Sequence, residues 1–206
     1  MKLIPEWYEH QYCLIAWPCN KDLYGKIINK ARDEVANVIN EIAKTEDVIV
    51  LSNKEDINEI QNKTDHKNID IIECKLDDSW MRDIAPIFYN EIEKLKSISF
   101  EFNGYGKYPD YLNDNKISKF ISNYLNIPTK ISDLVIEGGA ITYDDKKNLF
   151  STKNVIFNKN RKQKHNSEYI IKELKLLFDL NYIFLFENGL MEDDTCLLYT
   201  SDAADD

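Results

Sequence analysis

One order of elements occurs twice in this sequence: strand, strand, helix, strand, closed by a loop that is rich in glycine or acidic residues. The first copy consists of IAPIFYN, LKSISFEF, a helix near ISKFISNYL, and a strand around SDLVIEGG. The second copy consists of AITYD, NLFSTKNVIF, a helix over SEYIIKELKLLF capped by Asn166 or Ser167, and the strand NYIFLF. A supersecondary unit that recurs at this scale indicates a repeat architecture.

A long helix and two strands precede the first copy. Apolar side chains between Ile27 and Ile42 follow the 3.6-residue period of a helix, and Asn20 is the candidate for its cap. The segments DVIVLS (47–52) and NIDIIECKL (68–76) are predicted to be strands, the first of them buried. This region is counted as one further unit.

The loops that close the units are expected to meet. A unit of this kind cannot bury both faces of its sheet alone, so neighbouring units pack on it, and closure into a ring removes exposed strand edges. Asp83, Glu137 and Asp194, one acid from each loop, lie 54 and 57 positions apart, and in a ring they converge on one axis. The sequence therefore predicts an α/β fold, a partial α/β propeller with about three units, although an ordinary open α/β sheet fits the same elements.

The balance of charges disfavours polyanionic partners. The formal net charge is −10 at pH 7 and the pI is about 4.9, which argues against nucleic acid and anionic membranes and suits a cationic small molecule. No apolar run approaches the roughly 18 residues that cross a bilayer, and the first seven residues do not resemble a signal peptide. We therefore expect a cytoplasmic protein that binds neither nucleic acid nor membrane.

The cysteines and histidines do not predict a metal site. The four cysteines contain no CxxC pair, which argues against zinc and against a disulfide framework; they are Cys13, Cys19, Cys74 and Cys196. The closing loops carry no histidine, so metal binding is the weakest of three roles for convergent carboxylates, and no metal is predicted. The other two roles are a general acid and base pair, as in a glycosidase, and recognition of a cation.

The loop DDSWMRD (77–83) carries residue types that suit a flat cation. A guanidinium group is planar and permanently charged, and its five donors match carboxylates in a bidentate fork. Asp83 could hold one edge of such a group while Trp80 stacks on its face, an attraction of about 1–2 kcal/mol in a dry pocket. A local ion-pair network between Arg82 and the neighbouring aspartates explains these residue types equally well at this point.

The sequence resembles the agmatine deiminase and bacterial peptidyl-arginine deiminase family in six segments that occur in the family's order: PEWYEHQYCLIAWP, DDSWMRDIAPIF, FNGYGKYP, VIEGGAI, FNKNR and ENGLMEDDT. EGG alone is a weak signal, whereas the ordered set is specific, and residues 3–195 as a whole resemble the family. The resemblance implies a five-unit α/β propeller that hydrolyses a guanidine C–N bond without metal or organic cofactor. The implied substrate is agmatine, a small cationic guanidino compound, which would yield N-carbamoylputrescine and ammonia in putrescine and polyamine biosynthesis. A homo-oligomer is left open.

The resemblance also implies roles for individual residues. Asp83 would bind the guanidinium, and Glu137 of EGG would be the catalytic carboxylate that orients it and assists proton transfer. Trp80 would line the pocket, and Asp194 would add a substrate-binding acid. In the family a cysteine thiolate attacks the guanidino carbon, ammonia leaves, and water hydrolyses the thiouronium intermediate, with a histidine as general acid and base.

Two alternatives to an agmatine deiminase stay open. Free or peptidyl arginine as substrate would call for a cation or donor at the rim of the pocket, and Arg161 in FNKNR could supply it unless it forms a loop ion pair. A noncatalytic module that binds guanidinium or polyamines through Asp83, Trp80 and Glu137 would need no nucleophile at all.

Two departures from the family pattern lie on the C-terminal side. The family continues EDDT with a segment that bears the catalytic histidine and a second guanidinium-binding aspartate, and its nucleophilic cysteine lies later still. Here Thr195 is followed by CLLYTSDAADD (196–206), which resembles a translated end of a sequencing-library transposon. We therefore expect residues 1–195 to be the N-terminal part of one deiminase propeller domain and residues 196–206 to be an adapter-derived tail. The 206-residue chain is expected to be inactive and poorly stable.

Overall fold

The computed structural model describes residues 2–65 and 67–189 of the chain. In these residues the ten strands are β1 (Lys2–Leu3), β2 (Tyr12–Ala16), β3 (Asp47–Ser52), β4 (Ile69–Glu73), β5 (Ile87–Glu91), β6 (Lys94–Glu101), β7 (Thr129–Val135), β8 (Thr142–Tyr143), β9 (Asn148–Thr152) and β10 (Tyr182–Phe186). The seven α-helices in the same residues are α1 (Lys21–Tyr24), α2 (Ile28–Ile42), α3 (Ile57–Lys63), α4 (Met81–Ile84), α5 (Ile117–Tyr124), α6 (Lys153–Ile156) and α7 (Ser167–Phe178). None of these described helices is long and apolar enough to cross a membrane.

The described residues divide into two compact units. The larger unit contains residues 2–8, 82–111 and 115–189, and the smaller unit contains residues 9–65, 67–81 and 112–114. Strands β1 and β5 to β10 belong to the larger unit, whereas β2, β3 and β4 belong to the smaller unit. Both units combine sheets with helices, so the α/β class predicted from the sequence is confirmed.

Two sheets of the larger unit repeat the predicted order of elements. One sheet has the order β1-β5-β6-β7, and the other has the order β10-β9-β8. In each sheet an antiparallel pair (β5 with β6, β8 with β9) is followed along the chain by a parallel pair (β6 with β7, β9 with β10). Parallel neighbours need a crossover connection, which contains α5 in one case and α7 in the other. The order strand, strand, helix, strand therefore occurs twice in the structure.

A continuous core joins these elements of the larger unit. Helix α7 turns Ile170, Leu174 and Phe178 into the core, because residues four apart lie on the same face of a helix. The ring of Phe178 lies 5.9 Å from that of Phe100 on β6 and stacks at 6.5 Å on that of Tyr143 on β8. One aromatic side chain therefore packs against a strand of each sheet.

The smaller unit has a different order, in which strands and helices alternate. Its sheet, β2-β3-β4, is parallel throughout, and β3 coincides with the predicted strand 47–52. Val48 and Val50 of β3 pack with Ile39 of α2 and with Trp17 in a core of their own. The sequence does not predict β2, since YCLIA is a short apolar run without alternation.

Several predicted strands are shorter in the structure than the sequence indicates, and AITYD is a strand only over Thr142–Tyr143. NLFSTKNVIF is a strand only as far as Thr152, and its remainder forms α6. Helix α6 buries both Val155 and Ile156. NIDIIECKL is a strand only over Ile69–Glu73.

The long helix predicted for residues 27–42 is confirmed as α2, with a separate short helix before it. Asn20 caps that short helix, α1, through the backbone N–H of Leu23 at 3.0 Å. A 3₁₀ turn, Gly25–Ile27, lies between α1 and α2, and Gly25 begins it with a φ of 51°. A positive φ of this kind ends helices, and glycine adopts it without steric cost.

We expect Asn166→Ala to lower the free energy of unfolding by about 1 kcal/mol. Asn166 Oδ1 accepts the backbone N–H of Tyr169 at 2.9 Å, and that N–H is one of the first-turn donors without a partner inside the helix. Ser167→Ala is the matched control, because Ser167 lies within α7 and alanine suits a helix. Urea denaturation followed by circular dichroism compares the two variants, and equal losses would contradict Asn166 as the cap.

Candidate functional site

The loop DDSWMRD divides between the two units of the structure. Asp83 belongs to the larger unit, together with Glu137 and Arg161. Asp77, Asp78 and Trp80 belong to the smaller unit. The predicted site residues are therefore described unit by unit.

Asp83 is held on α4 by two hydrogen bonds within the larger unit. Its side chain is buried, with 4% of its surface exposed. Oδ1 accepts the backbone N–H of Gly139 at 2.9 Å, and Oδ2 accepts the hydroxyl of Tyr105 at 2.5 Å. Both carboxylate oxygens thus have a donor, which offsets the cost of removing the group from water.

Glu137 follows the end of β7 and forms a buried ion pair. Its side chain is 0% exposed and that of Arg161 is 1% exposed. Arg161 Nε donates to Glu137 Oε1 at 3.0 Å and to Oε2 at 2.9 Å. The loop ion pair considered for Arg161 from the sequence is therefore present, and Glu137 is its partner.

Two glycines allow the loops around these acids to touch. A Cβ at Gly138 would lie 2.1 Å from the backbone O of Arg82, so the EGG turn lies directly on α4. A Cβ at Gly106, where φ is +70°, would lie 1.9 Å from the backbone O of Asn160. Asn103 Nδ2 also donates to the backbone O of Arg161 at 2.8 Å. FNGYGKYP and FNKNR are thus packed together, as are EGG and the end of DDSWMRD.

We call Asp83, Glu137, Tyr105 and Arg161 the carboxylate cluster. Burial raises the pKa of the Asp83 carboxyl above its usual range, although its hydrogen bonds and the nearby arginines lower it. Burial also raises the pKa of Glu137; the Arg161 guanidinium opposes this rise, and the negative charge of Asp83 adds to it. The two predicted acids are therefore close enough to influence each other. A cation placed beside these two carboxyl groups would lower both pKa values, because a nearby positive charge favours the ionised acids.

Asp77 and Asp78, the first two aspartates of DDSWMRD, stabilise a turn in the smaller unit. Asp114 Oδ1 accepts the backbone N–H of Asp77 at 2.8 Å, and its Oδ2 accepts that of Asp78 at 3.1 Å. In return, Asp77 Oδ2 accepts the backbone N–H of Asn113 at 2.7 Å. These three aspartates, which we call the aspartate turn, fix the loop backbone. Burial raises the pKa of Asp114 to about 7.

Trp80 is partly exposed and its ring is oriented by a hydrogen bond. Its Nε1–H donates to Asp78 Oδ2 at 2.9 Å, and 37% of its surface is exposed. Arg82, in the larger unit, forms an ion pair with Glu6. Asp194 lies outside the described residues, so the structure does not place the third predicted acid.

Sequence reasoning missed two members of this architecture. Tyr105, the donor to Asp83, has a φ of 58° and lies between two glycines of positive φ; the flanking glycines were a signal of unusual backbone. Asp114, the centre of the aspartate turn, lies in a polar stretch in which no single residue stands out. No sequence pattern pairs either residue with its partner.

The cysteines described by the structure are protonated thiols. Burial raises the pKa of Cys19 to about 12 and that of Cys74 to about 11, and it raises the pKa of Cys13. A thiol with such a pKa is a poor nucleophile near neutral pH. Cys196 lies outside the described residues. Among residues 2–65 and 67–189, no group of three or more His, Cys, Asp or Glu side chains is arranged to hold a metal ion.

Comparison with known families and proteins gives a consistent picture. The model of the Porphyromonas-type peptidyl-arginine deiminase family matches residues 2–197. A candidate agmatine deiminase of Mycoplasma capricolum is 31% identical over 196 residues, which cover 92% of this chain and 54% of that protein. The agmatine deiminase of Medicago truncatula is 29% identical over 204 residues, with 92% and 54% covered.

A solved structure agrees with these relatives. A Cys-to-Ser variant of C. jejuni agmatine deiminase with substrate bound superposes with a TM-score of 0.86 at 25% identity, covering 96% of this chain and 60% of that one. The α/β fold of this chain thus matches that of an agmatine deiminase. The chain spans about half the length of the curated relatives it matches.

Gly138→Ala is expected to destabilise the chain by more than about 3 kcal/mol. The added methyl group would overlap the backbone O of Arg82 at 2.1 Å, so α4 and the EGG turn must move apart. Gly25→Ala is the control, because its Cβ meets nothing within 4 Å and it carries only the backbone strain of a φ of 51° with a ψ of −129°, about 1–3 kcal/mol. Thermal and urea unfolding measure both. A smaller loss for Gly138→Ala than for Gly25→Ala would refute the close contact.

Asp114 is expected to make the stability of the chain depend on pH. Its pKa is about 7 in the folded state, compared with 3.8 for an unperturbed aspartate, so the folded state binds the proton more tightly. The contribution of Asp114 to stability is therefore complete below about pH 4 and is lost as the pH rises through 7. Asp114→Asn should make the decline of unfolding free energy between pH 4 and 7 less steep, as measured by urea denaturation. Asp110→Asn, at an exposed position, should leave the slope unchanged, and identical slopes for both variants would disprove the effect.

Proposed function

The chain belongs to the Porphyromonas-type peptidyl-arginine deiminase family, and on that premise we propose that it provides the guanidinium-binding acids of an agmatine deiminase. The reaction is hydrolysis of agmatine to N-carbamoylputrescine and ammonia, a step toward putrescine. Asp83 and Glu137 hold the guanidinium, Trp80 covers its face, and Asp194 adds a further acid. Similarity to named agmatine deiminases supports this assignment.

The observation that carries the proposal is the buried carboxylate cluster. Two acids separated by 54 positions in the sequence meet at one glycine turn, which follows Glu137 and donates the Gly139 N–H to Asp83, and both acids are almost fully buried. A structural role alone would be served by one acid paired with Arg161. The second acid, Asp83, is held by neutral donors in the described structure, and a carboxylate accepts more hydrogen bonds than these two. A planar cation is a suitable additional partner.

The proposed reaction proceeds in two steps. A cysteine thiolate adds to the guanidinium carbon; the C–N bond to one terminal nitrogen then breaks, and that nitrogen leaves as ammonia after protonation by a histidine. Water, deprotonated by the same histidine, adds to the resulting thiouronium carbon, and the C–S bond breaks to give the ureido product and the free thiolate. Asp83 and Glu137 keep the cationic carbon oriented throughout.

We further propose that the repeated order of elements reflects a five-unit α/β propeller. The sheets β5-β6-β7 and β8-β9-β10, each with its crossover helix, correspond to two units, and the parallel sheet β2-β3-β4 corresponds to a third. Superposition on two solved agmatine deiminases, with TM-scores of 0.86 and 0.85, supports this interpretation.

Burial of Arg161 favours agmatine over arginine as the substrate. The Arg161 side chain is 1% exposed and donates to Glu137, so it is a poor receptor for the carboxylate of free or peptidyl arginine at a pocket rim. Agmatine has no carboxylate and requires no such receptor. In this proposal, Asp83 and Glu137 select the substrate through its guanidinium group, and no residue binds a substrate carboxylate.

We assign the nucleophile and the histidine of this mechanism to residues other than those the structure describes. The thiols of Cys13, Cys19 and Cys74 have raised pKa values, and His165 bonds to Asp133 on β7. With residues 196–206 taken as the adapter-derived tail expected from the sequence, we propose that the 206-residue chain binds guanidinium compounds without turning them over. In isolation it would behave as the noncatalytic binding module considered from the sequence.

The chain is expected to bind agmatine more tightly than putrescine, which has ammonium groups at both ends and no guanidinium. Asp83→Asn should weaken agmatine binding about tenfold or more, because it removes a charged acceptor while keeping the shape of the side chain. Isothermal titration calorimetry measures the three affinities, and circular dichroism checks that the variant is folded. Asp110→Asn, at an exposed aspartate of the same unit, is the control and should bind like the unsubstituted chain.

Two results would overturn the proposal in different ways. Equal affinities for agmatine and putrescine would remove guanidinium recognition by the carboxylate cluster. Formation of the ureido product above buffer, in a colorimetric assay of the purified chain with agmatine, would refute the inactivity of the isolated chain and would require another nucleophile within it.

A further inference from the structure

Residues 161–165 follow the outer edge of β7, and we call this segment the clasp. β7 is the terminal strand of the sheet β1-β5-β6-β7 formed by the described residues, so its outer backbone groups face no strand of that sheet. Exposure alternates along the clasp: Arg161 is buried, Gln163 and His165 are half-buried, and Lys162 and Lys164 are exposed. Arg161, Gln163 and His165 are thus turned towards the protein, and the two lysines between them are turned towards solvent.

The two ends of the clasp contact residues of β7 and its loop in matching order. Arg161 Nε donates to both oxygens of Glu137, at 3.0 and 2.9 Å. His165 Nε2 and Asp133 Oδ2 are 2.9 Å apart. Four positions therefore separate the contacts on both segments, and the clasp runs antiparallel to residues 133–137.

The middle contact of the clasp is made by the side-chain amide of Gln163 with the backbone of Val135. Gln163 Oε1 accepts the backbone N–H of Val135 at 3.0 Å, and Gln163 Nε2 donates to the backbone O of Val135 at 2.7 Å. The next residue, Ile136, points its N–H the other way, to the backbone O of Glu101 on β6. The side-chain amide of Gln163 thus satisfies both polar groups that Val135 presents at the sheet edge, as a neighbouring strand would do.

We propose that Gln163 is a positioning residue for Glu137, which it serves by fixing the register of the clasp and thereby holding Arg161 on the Glu137 carboxylate. The inference rests on the proposed function, in which Glu137 acts on the substrate. Gln163 lies two positions after Arg161, and Val135 lies two positions before Glu137, so the amide contact sets the separation of the ion pair.

The backbone between the two contacts supports this role. Lys162, between Arg161 and Gln163, has a left-handed conformation with a φ of 49°, in which a residue other than glycine is uncommon. A segment held in such a conformation needs contacts on both sides to maintain it. The ion pair supplies one of these contacts and the Gln163 amide supplies the other.

Gln163→Met tests the proposal, because methionine has a similar length and shape but neither donates nor accepts an amide hydrogen bond. Without the two amide hydrogen bonds to Val135, Arg161 should move relative to Glu137, and agmatine should bind about tenfold more weakly. Lys164→Met is the matched control: it lies next to Gln163, points outward and is exposed, and it should bind agmatine like the unsubstituted chain.

A second readout separates positioning from loss of stability. Arg161 lowers the pKa of Glu137, so the titration of Glu137 should move to higher pH in Gln163→Met and stay in place in Lys164→Met. Nuclear magnetic resonance of chain labelled with ¹³C at the glutamate carboxyl carbons follows this titration, and Glu137→Gln assigns the signal. A lower melting temperature with an unchanged Glu137 titration would overturn the proposal and leave Gln163 a purely structural role.

Gln163→Glu provides a rescue within one variant. A protonated carboxyl group both donates and accepts, so at about pH 4 it can make both contacts to Val135, whereas the ionised form can only accept. Relative to the unsubstituted chain at the same pH, agmatine binding should be equal at low pH and about tenfold weaker at pH 8. A ratio that does not change with pH would contradict the role of the amide pair.

These outcomes can be distinguished from failure of the proposed function. If the unsubstituted chain does not prefer agmatine to putrescine, the proposed function fails, but the Glu137 titration still reports on the clasp. If agmatine binds as expected and Gln163→Met changes neither affinity nor titration, only the positioning role fails.

Discussion

The buried ion pair of Glu137 and Arg161 is the interaction on which the site in the larger unit depends. Removing both groups from water is costly, and the pair is favourable only with close geometry. Loss of one partner typically costs about 3–5 kcal/mol, because a buried charge is left alone. The segment FNKNR must therefore lie against the EGG turn, so that Arg161 reaches Glu137. The pair also determines how strongly Glu137 can act on a ligand.

The aspartates of DDSWMRD show how one short loop can serve two purposes. Asp77 and Asp78 accept hydrogen bonds from backbone and side-chain donors of the smaller unit, so their carboxylates stabilise a turn. Asp83, a few residues later, lies on a helix of the larger unit and is held by Tyr105 and Gly139. A run of acids in a sequence therefore does not define one ligand site, because each carboxylate is committed by its own set of donors.

Membership of a deiminase family is the reason for proposing that Asp83 and Glu137 bind a guanidinium group. In the proposed function, binding of the cation and attack on its carbon are carried out by different groups: the acids bind, and a thiolate reacts. The thiols that the structure describes are half-buried, and burial raises the pKa of Cys19 to about 12 and that of Cys74 to about 11, which separates them from the reaction. Recognition of the guanidinium and its turnover can therefore be measured independently, and the clasp around Gln163 belongs to the first of these.

The repeated order of elements in the larger unit and the proximity of Asp83 to Glu137 could be predicted from the sequence alone. Hydrophobic periodicity is a local property, so it indicated β3, α2, α7 and both copies of the repeated order. The structure was needed for contacts between distant segments, because nothing local links Tyr105 to Asp83 or Gln163 to Val135. It was also needed for α6, because a short apolar run does not distinguish a strand from a buried helix. The sequence determined which groups are available for chemistry, and only the tertiary structure decided which of them face one another, since burial and pairing depend on the packing of the whole unit.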